Sequence, residues 1–190
     1  MRLVRLTDRR KQDPWLGAVH SFPTVLHGRA SVLFDVSRES LQKALFEALT
    51  SMLELSIPVD ISVADLDGYH HGLIRFRVGV GNGDGFDIFD ARERERVLSR
   101  VENVGAFDML DLKFLLRYGV DDGRPHKVRG DEYLVRLVFE RERAEFLLHH
   151  LKGVRRVGPD ELVRMIVDAL NLELKRQRYS SVELEQIRTT

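Results

Sequence analysis

The sequence predicts an α+β protein, a two-layer sandwich in which helices cover one face of a sheet. Two observations predict it. Leu73–Val80, Asp108–Tyr118 and Tyr133–Glu140 alternate apolar and polar residues with a period of two. Leu41, Ala44, Leu45, Ala48, Leu49 and Met52 recur at helical spacing, as do Leu162, Val163, Ile166, Val167, Leu170 and Leu174. Alternation sends successive side chains to opposite faces of a strand, so one face is buried and the other open. A helical stripe of that width faces a core.

The elements follow in chain order. Residues 1–28 hold Pro14, Gly17, Pro23 and Gly28 without a period and predict an extended arm anchored by Trp15 and Phe22. A core domain is expected over 29–152. Its first strand runs Ala30–Val36, and Ser37 is a good N-cap for the first helix. Pro58 closes that helix, and Ile57, Val59, Ile61 and Val63 form a second strand. A turn over Asp65–Gly72 leads into Leu73–Val80. Gly79, Gly81, Gly83 and Gly85 mark the next turn, and Asp90 caps a helix from Ala91 to about Val101. Two more alternating strands are joined across Asp121–Asp131. Phe146, Leu147, Leu148 and Leu151 predict a helix over Glu142–Leu151. Pro159, at a first helical position, starts another that ends near Arg178. Ser180–Glu183 has the form of a capping box for a last short helix. Residues 153–190 are thus expected to be a C-terminal helical appendage and a candidate dimerisation element.

The order is β-α-β-β-α-β-β-α-α. From Ala30 to Tyr118 this arrangement resembles the ferredoxin-like split βαβ unit. The resemblance implies a sheet ordered 4-1-3-2; with the extra strand beside the fourth, one largely antiparallel five-stranded sheet ordered 5-4-1-3-2 is expected, beside a C-terminal helical pair.

Bulk properties narrow the function classes. Thirty basic and thirty acidic residues give zero net charge, which argues against nonspecific coating of duplex DNA. Arginine outnumbers lysine 24 to 6, and charge of both signs without cysteine gives a thermophile-like composition. The absence of cysteine removes disulfides, thiolate nucleophiles and Cys-based metal sites. No apolar run approaches the roughly 20 residues that span a bilayer. A cytoplasmic location without membrane contact is expected, and no cofactor is implied.

No catalytic motif is present. Parity sends Arg75, Arg77, Lys113, Arg117 and Arg136 to the open face of the sheet, diluted by Asp35, Asp60 and Asp111. Lys152, Arg155 and Arg156 cluster after the Glu142–Leu151 segment. These eight are the candidate nucleic-acid-binding residues, and an accessory module for single-stranded DNA or RNA is the leading expectation. Stacking rings, worth about 1–3 kcal/mol per base, are missing from that face. Phe76, Phe114, Tyr133 and Phe139 fall on the covered side, so Trp15, His20 or Phe22 would have to supply them. The competing reading is a solvated sheet with cross-strand ion pairs.

Leu151–Leu162 approximates a helix-hairpin-helix, whose glycine turn offers amides to a phosphate, with Arg155 in place of the second glycine. Asn82–Asp90 approximates one Ca²⁺ nonapeptide, although a single copy builds no roll and a tight turn explains it. Asp65, Asp67, His70 and His71 could hold a metal for a small hydrolase, or form a plain polar turn. The Leu162–Leu174 stripe suggests a third function, a homo-oligomeric scaffold, with a homodimer formed through the C-terminal helices.

Overall fold

The computed structural model describes residues 15–16, 22–62, 69–120 and 130–190. It shows an α+β protein with three helices and one sheet among those residues. The elements are β1 (Trp15–Leu16), β2 (Gly28–Leu33), α1 (Arg38–Glu54), β3 (Ser56–Ser62), β4 (Tyr69–Gly81), β5 (Phe86–Ile88), α2 (Ala91–Val104), β6 (Met109–Val120), β7 (Asp131–Phe139), β8 (Arg143–Lys152), α3 (Pro159–Arg176) and β9 (Glu183–Thr189).

Local chemistry sets the helices. Ser37 accepts the Ser40 amide at the start of α1 and Asp90 accepts the Glu93 amide at the start of α2. Pro159 opens α3 behind Gly158, whose amide is taken by Glu161. Helix α1 buries Leu41, Ala44, Leu45, Phe46, Ala48, Leu49 and Met52 and contacts both α2 and α3. Gln42, wholly buried on the same helix, exchanges two hydrogen bonds of 2.7 and 2.8 Å with the Phe107 backbone. That pair fixes the chain entering β6 onto α1 and leaves no buried amide orphaned.

The strand order is β3-β4-β6-β7-β8-β2-β9, antiparallel throughout, with β5 added to β4 and two-residue β1 added parallel to β6. The five-stranded sheet ordered 5-4-1-3-2 and its C-terminal helical pair are therefore not found. The expected helix over Glu142–Leu151 is β8, and the expected helix after Ser180 is β9. A short apolar run such as Phe146-Leu147-Leu148 suits a helix or a strand equally. The ladder decides it: β8 pairs with both β7 and β2, burying Ala144, Phe146 and Leu148. With β8 a strand, β2 moves outside it, and β4 pairs directly with β6 over Gly72–Val80. The split βαβ arrangement is thereby replaced by a meander of sequential neighbours, closed by β2 and β9. Pro58 lies within β3, an edge strand, where its missing N–H costs no ladder bond.

The parity of the alternating strands holds. Ile74, Phe76, Val78 and Val80 of β4, Leu110 to Tyr118 at every second place of β6, and Tyr133, Val135, Leu137 and Phe139 of β7 all enter one core. The Leu162–Leu174 stripe of α3 is buried in the same core, so it offers no free face for a dimer. The other side of the sheet is not uniformly open. Asp111, Leu134 and Ser31 point to it yet are at most 8% exposed. No helix among the described residues is long and apolar enough to cross a membrane.

Candidate nucleic-acid interface

The eight basic residues divide into three environments. Arg75 and Arg77 project from β4 and Arg117 from β6, all exposed, with Arg75 directly opposite Arg117 in the ladder. None has a carboxylate partner among the described residues. Like charges facing each other across a ladder are destabilising, and no carboxylate among the described residues relieves this strip.

Lys113 and Arg136 stand differently. Lys113 pairs with Glu132 at 3.1 Å. Arg136 grips buried Asp111 with two bonds of 2.6 and 2.7 Å, and the Phe22 ring lies over its guanidinium at 4.5 Å. Charge and ring are spent on each other, which closes the middle of this face. Val25 O, from the same segment, meets His149 Nδ1 at 2.7 Å. Phe22, read from the sequence as an anchor and as one of three candidate sources of a stacking ring, thus covers an arginine.

Lys152, Arg155 and Arg156 form the third group, in and after the end of β8. Here the structure supplies what sequence reasoning missed. Asp131, at the start of β7, is fully buried. Its Oδ1 accepts from His150 Nε2 at 3.1 Å and the Arg155 amide at 2.7 Å. Its Oδ2 accepts from the Tyr118 hydroxyl at 2.6 Å and the Arg156 amide at 2.9 Å. The turn that resembled a phosphate-binding hairpin does offer its amides to an anion, but the anion is the chain's own carboxylate. Gly153 is required by this closure: its φ is 116°, and a Cβ there would lie 2.1 Å from Asp131 Oδ1. Arg155 adopts φ 55°, a left-handed conformation that costs roughly 1–2 kcal/mol, offset by its bond to Asp131.

The electrostatics of this knot are those of a closed structural site. Burial raises the carboxyl pKa of Asp131, yet the bonds from Tyr118, His150 and the two amides outweigh it and hold the group below the usual carboxylate range. Burial, then the bond to Asp131, pushes the Tyr118 hydroxyl well above its ordinary value. Tyr133 is raised by burial first and by Asp131 next, and its hydroxyl donates to Val157 O. Four donors occupy the carboxylate, so no lone pair is poised to take a proton from a substrate.

Beside the knot, between the end of β6 and the loop after β8, lies a cleft of about 640 Å³. Leu115, Tyr118 and Val154 give it apolar wall, and Arg117, Lys152 and Glu132 give it charge. Thus Arg117 and Lys152 are brought together, with Arg75 across the ladder from Arg117.

The other candidate sites resolve as follows. Asn82 Oδ1 accepts the Asp84 and Gly85 amides and its Nδ2 bonds Asp87, making the Asn82–Asp90 segment a hairpin turn. Asp65, Asp67 and His20 lie outside the described residues. His70 and His71 lie on β4, and their side chains are likewise outside what is described. Among the described residues, no group of three His, Asp or Glu side chains converges as a metal set. No protein-family model, no curated protein and no solved structure matches this chain.

Proposed function

We propose that the protein binds single-stranded nucleic acid along the β4–β6 side of its sheet. Phosphates lie on Arg75, Arg77 and Arg117, and a neighbouring base enters the cleft beside Leu115, Tyr118 and Val154, with Lys152 at its rim. The observation that carries this reading is the Arg75–Arg117 pair, two guanidiniums in register without a carboxylate among the described residues. A phosphate between them converts a repulsion into two charge-assisted contacts. The cleft supports the reading because it offers a base apolar surface where the described residues of the open face present no aromatic platform. Lys113 and Arg136 drop out of the binding set, since Glu132 and Asp111 already hold them.

The test is fluorescence anisotropy of labelled single-stranded DNA and RNA against salt. Each phosphate contact contributes a slope of about −0.7 in log K against log salt for single strands. Reversing two contacts, in Arg75→Glu with Arg117→Glu, is expected to flatten that slope by about 1.4 and weaken affinity at least roughly tenfold, while thermal stability holds. Wild-type protein that shows no salt-sensitive binding to any single strand rules the reading out.

A further inference from the structure

A second basic site lies on the same side of the sheet, beyond the centre closed by Arg136 and Phe22. There β8, β2 and β9 run side by side. Arg29 and Ser31 alternate outward from β2 while Ala30 and Val32 enter the core. Arg29 stands directly opposite Arg188 on β9, and Ser31 stands opposite Glu145 on β8 and Gln186 on β9. Arg143 reaches in from the start of β8. Arg29, Ser31, Arg143, Glu145, Gln186 and Arg188, together with Ala30, line a pocket of about 180 Å³.

Its hydrogen bonding is incomplete in a specific way. Arg143 donates to Ser31 Oγ at 3.0 Å, but its Nε is buried without a hydrogen-bond partner. Glu185 is 3.7 Å from that nitrogen, beyond hydrogen-bond reach. Ser31 is only 4% exposed, and its hydroxyl, used there as an acceptor, keeps its own proton to give. Arg29 holds Glu145 through two 2.9 Å bonds. Arg188 has no carboxylate among the described residues. Among the described residues three guanidiniums face two carboxylates, Glu145 and Glu185, and Arg188 is the one left without a carboxylate.

We propose that this pocket binds a phosphate monoester. A tetrahedral oxyanion takes donors from several directions, which the Arg143 guanidinium, Ser31 Oγ and the Arg188 fork supply. The volume falls below the roughly 300–1,000 Å³ that encloses whole organic ligands, so the pocket holds the charged end of a molecule whose remainder lies outside. The β4–β6 arginines take no part in it, and the site stands whether or not they bind a strand.

The experiment titrates inorganic phosphate at constant ionic strength, read as a shift in melting temperature and by calorimetry. A saturable upward shift is expected, because a ligand of the folded state stabilises it by mass action. Arg188→Ala should weaken phosphate affinity at least tenfold, and Arg143→Lys, which keeps charge but loses the planar fork, should also weaken it. In the Arg75→Glu, Arg117→Glu background the Arg188-dependent part of the shift should persist. A second arm compares 5′-phosphorylated with 5′-hydroxyl single strands. A preference of tenfold or more that Arg188→Ala abolishes assigns the monoester to a strand terminus. Equal affinity for the two strands with phosphate binding intact assigns it to a small phosphorylated molecule. Wild type without a saturable phosphate effect, or an effect that Arg188→Ala does not change, overturns the proposal.

Discussion

Asp131 and the Arg75–Arg117 pair handle charge in opposite ways. Asp131 is wholly inside and surrounded by four donors, two of them backbone amides from the loop after β8. Arg75 and Arg117 are outside, in register, and neither has a carboxylate partner among the described residues. Burial makes an unpartnered charge costly, so the interior site had to be completed by the fold itself. At the surface water screens the repulsion, and the same incompleteness is tolerated. The chemically richer cluster of the two is therefore the structural one, and the plainer one is the proposed binding surface.

Breaking the knot should have the largest effect. Asp131→Ala leaves the Tyr118 hydroxyl and two loop amides without an acceptor and should cost about 3 kcal/mol or more, measured by urea denaturation. Asp131 also lines the cleft, so strand affinity of the folded fraction should fall, but by less than in Arg75→Glu with Arg117→Glu. If the variant keeps wild-type stability and loses binding instead, the contrast is inverted.

His27 tests the same end of the sheet by pH. Its Nδ1 accepts the His150 amide at 2.9 Å, which requires the neutral ring. Burial, followed by Arg155, His149 and His150, keeps its pKa below the usual 6.5. The unfolded chain then binds a proton that the folded chain refuses. Stability is full above pH 6.5 and is lost as pH falls through the folded-state value. Denaturation midpoints from about pH 7.5 to about 5 should decline, and His27→Asn should flatten the decline. An unchanged slope in the variant removes His27 from the account.

The smallest effect sharpens the other side of the contrast. Arg75→Glu alone places opposite charges across the ladder and should raise stability by roughly 0.2–1 kcal/mol while weakening strand binding. Loss of stability would mean that Arg75 has a structural task.

Much of the covered face was legible in the sequence. Leu110 to Tyr118, Ile74 to Val80 and Tyr133 to Phe139 announced their buried sides by alternation alone, and Ser37, Asp90 and Pro159 marked three helix starts. Of the candidate site, Arg75, Arg77 and Arg117 were placed on the right face by the same parity. Lys113 and Arg136 were placed there too, but parity does not say that Glu132 and Asp111 stand within reach on the neighbouring strand. Arg143 and Arg188 were missed because their segments have no decisive period. Glu183–Thr189 is too polar to declare itself a strand, and it is one through its ladder with β2. Asp131 gave no signal, since its four partners come from β6, β8 and a loop 24 and 25 residues away.

By itself, then, the sequence determined the class of the protein, the buried faces of its central strands and the caps of its helices. All of these rest on interactions within a few residues. The tertiary structure alone decided strand order, the identity of β8 and β9, and the closing of the Asp131 knot. It also decided which arginines are neutralised and which remain. Each depends on which strand lies alongside which, and period-two alternation names a face without naming a neighbour.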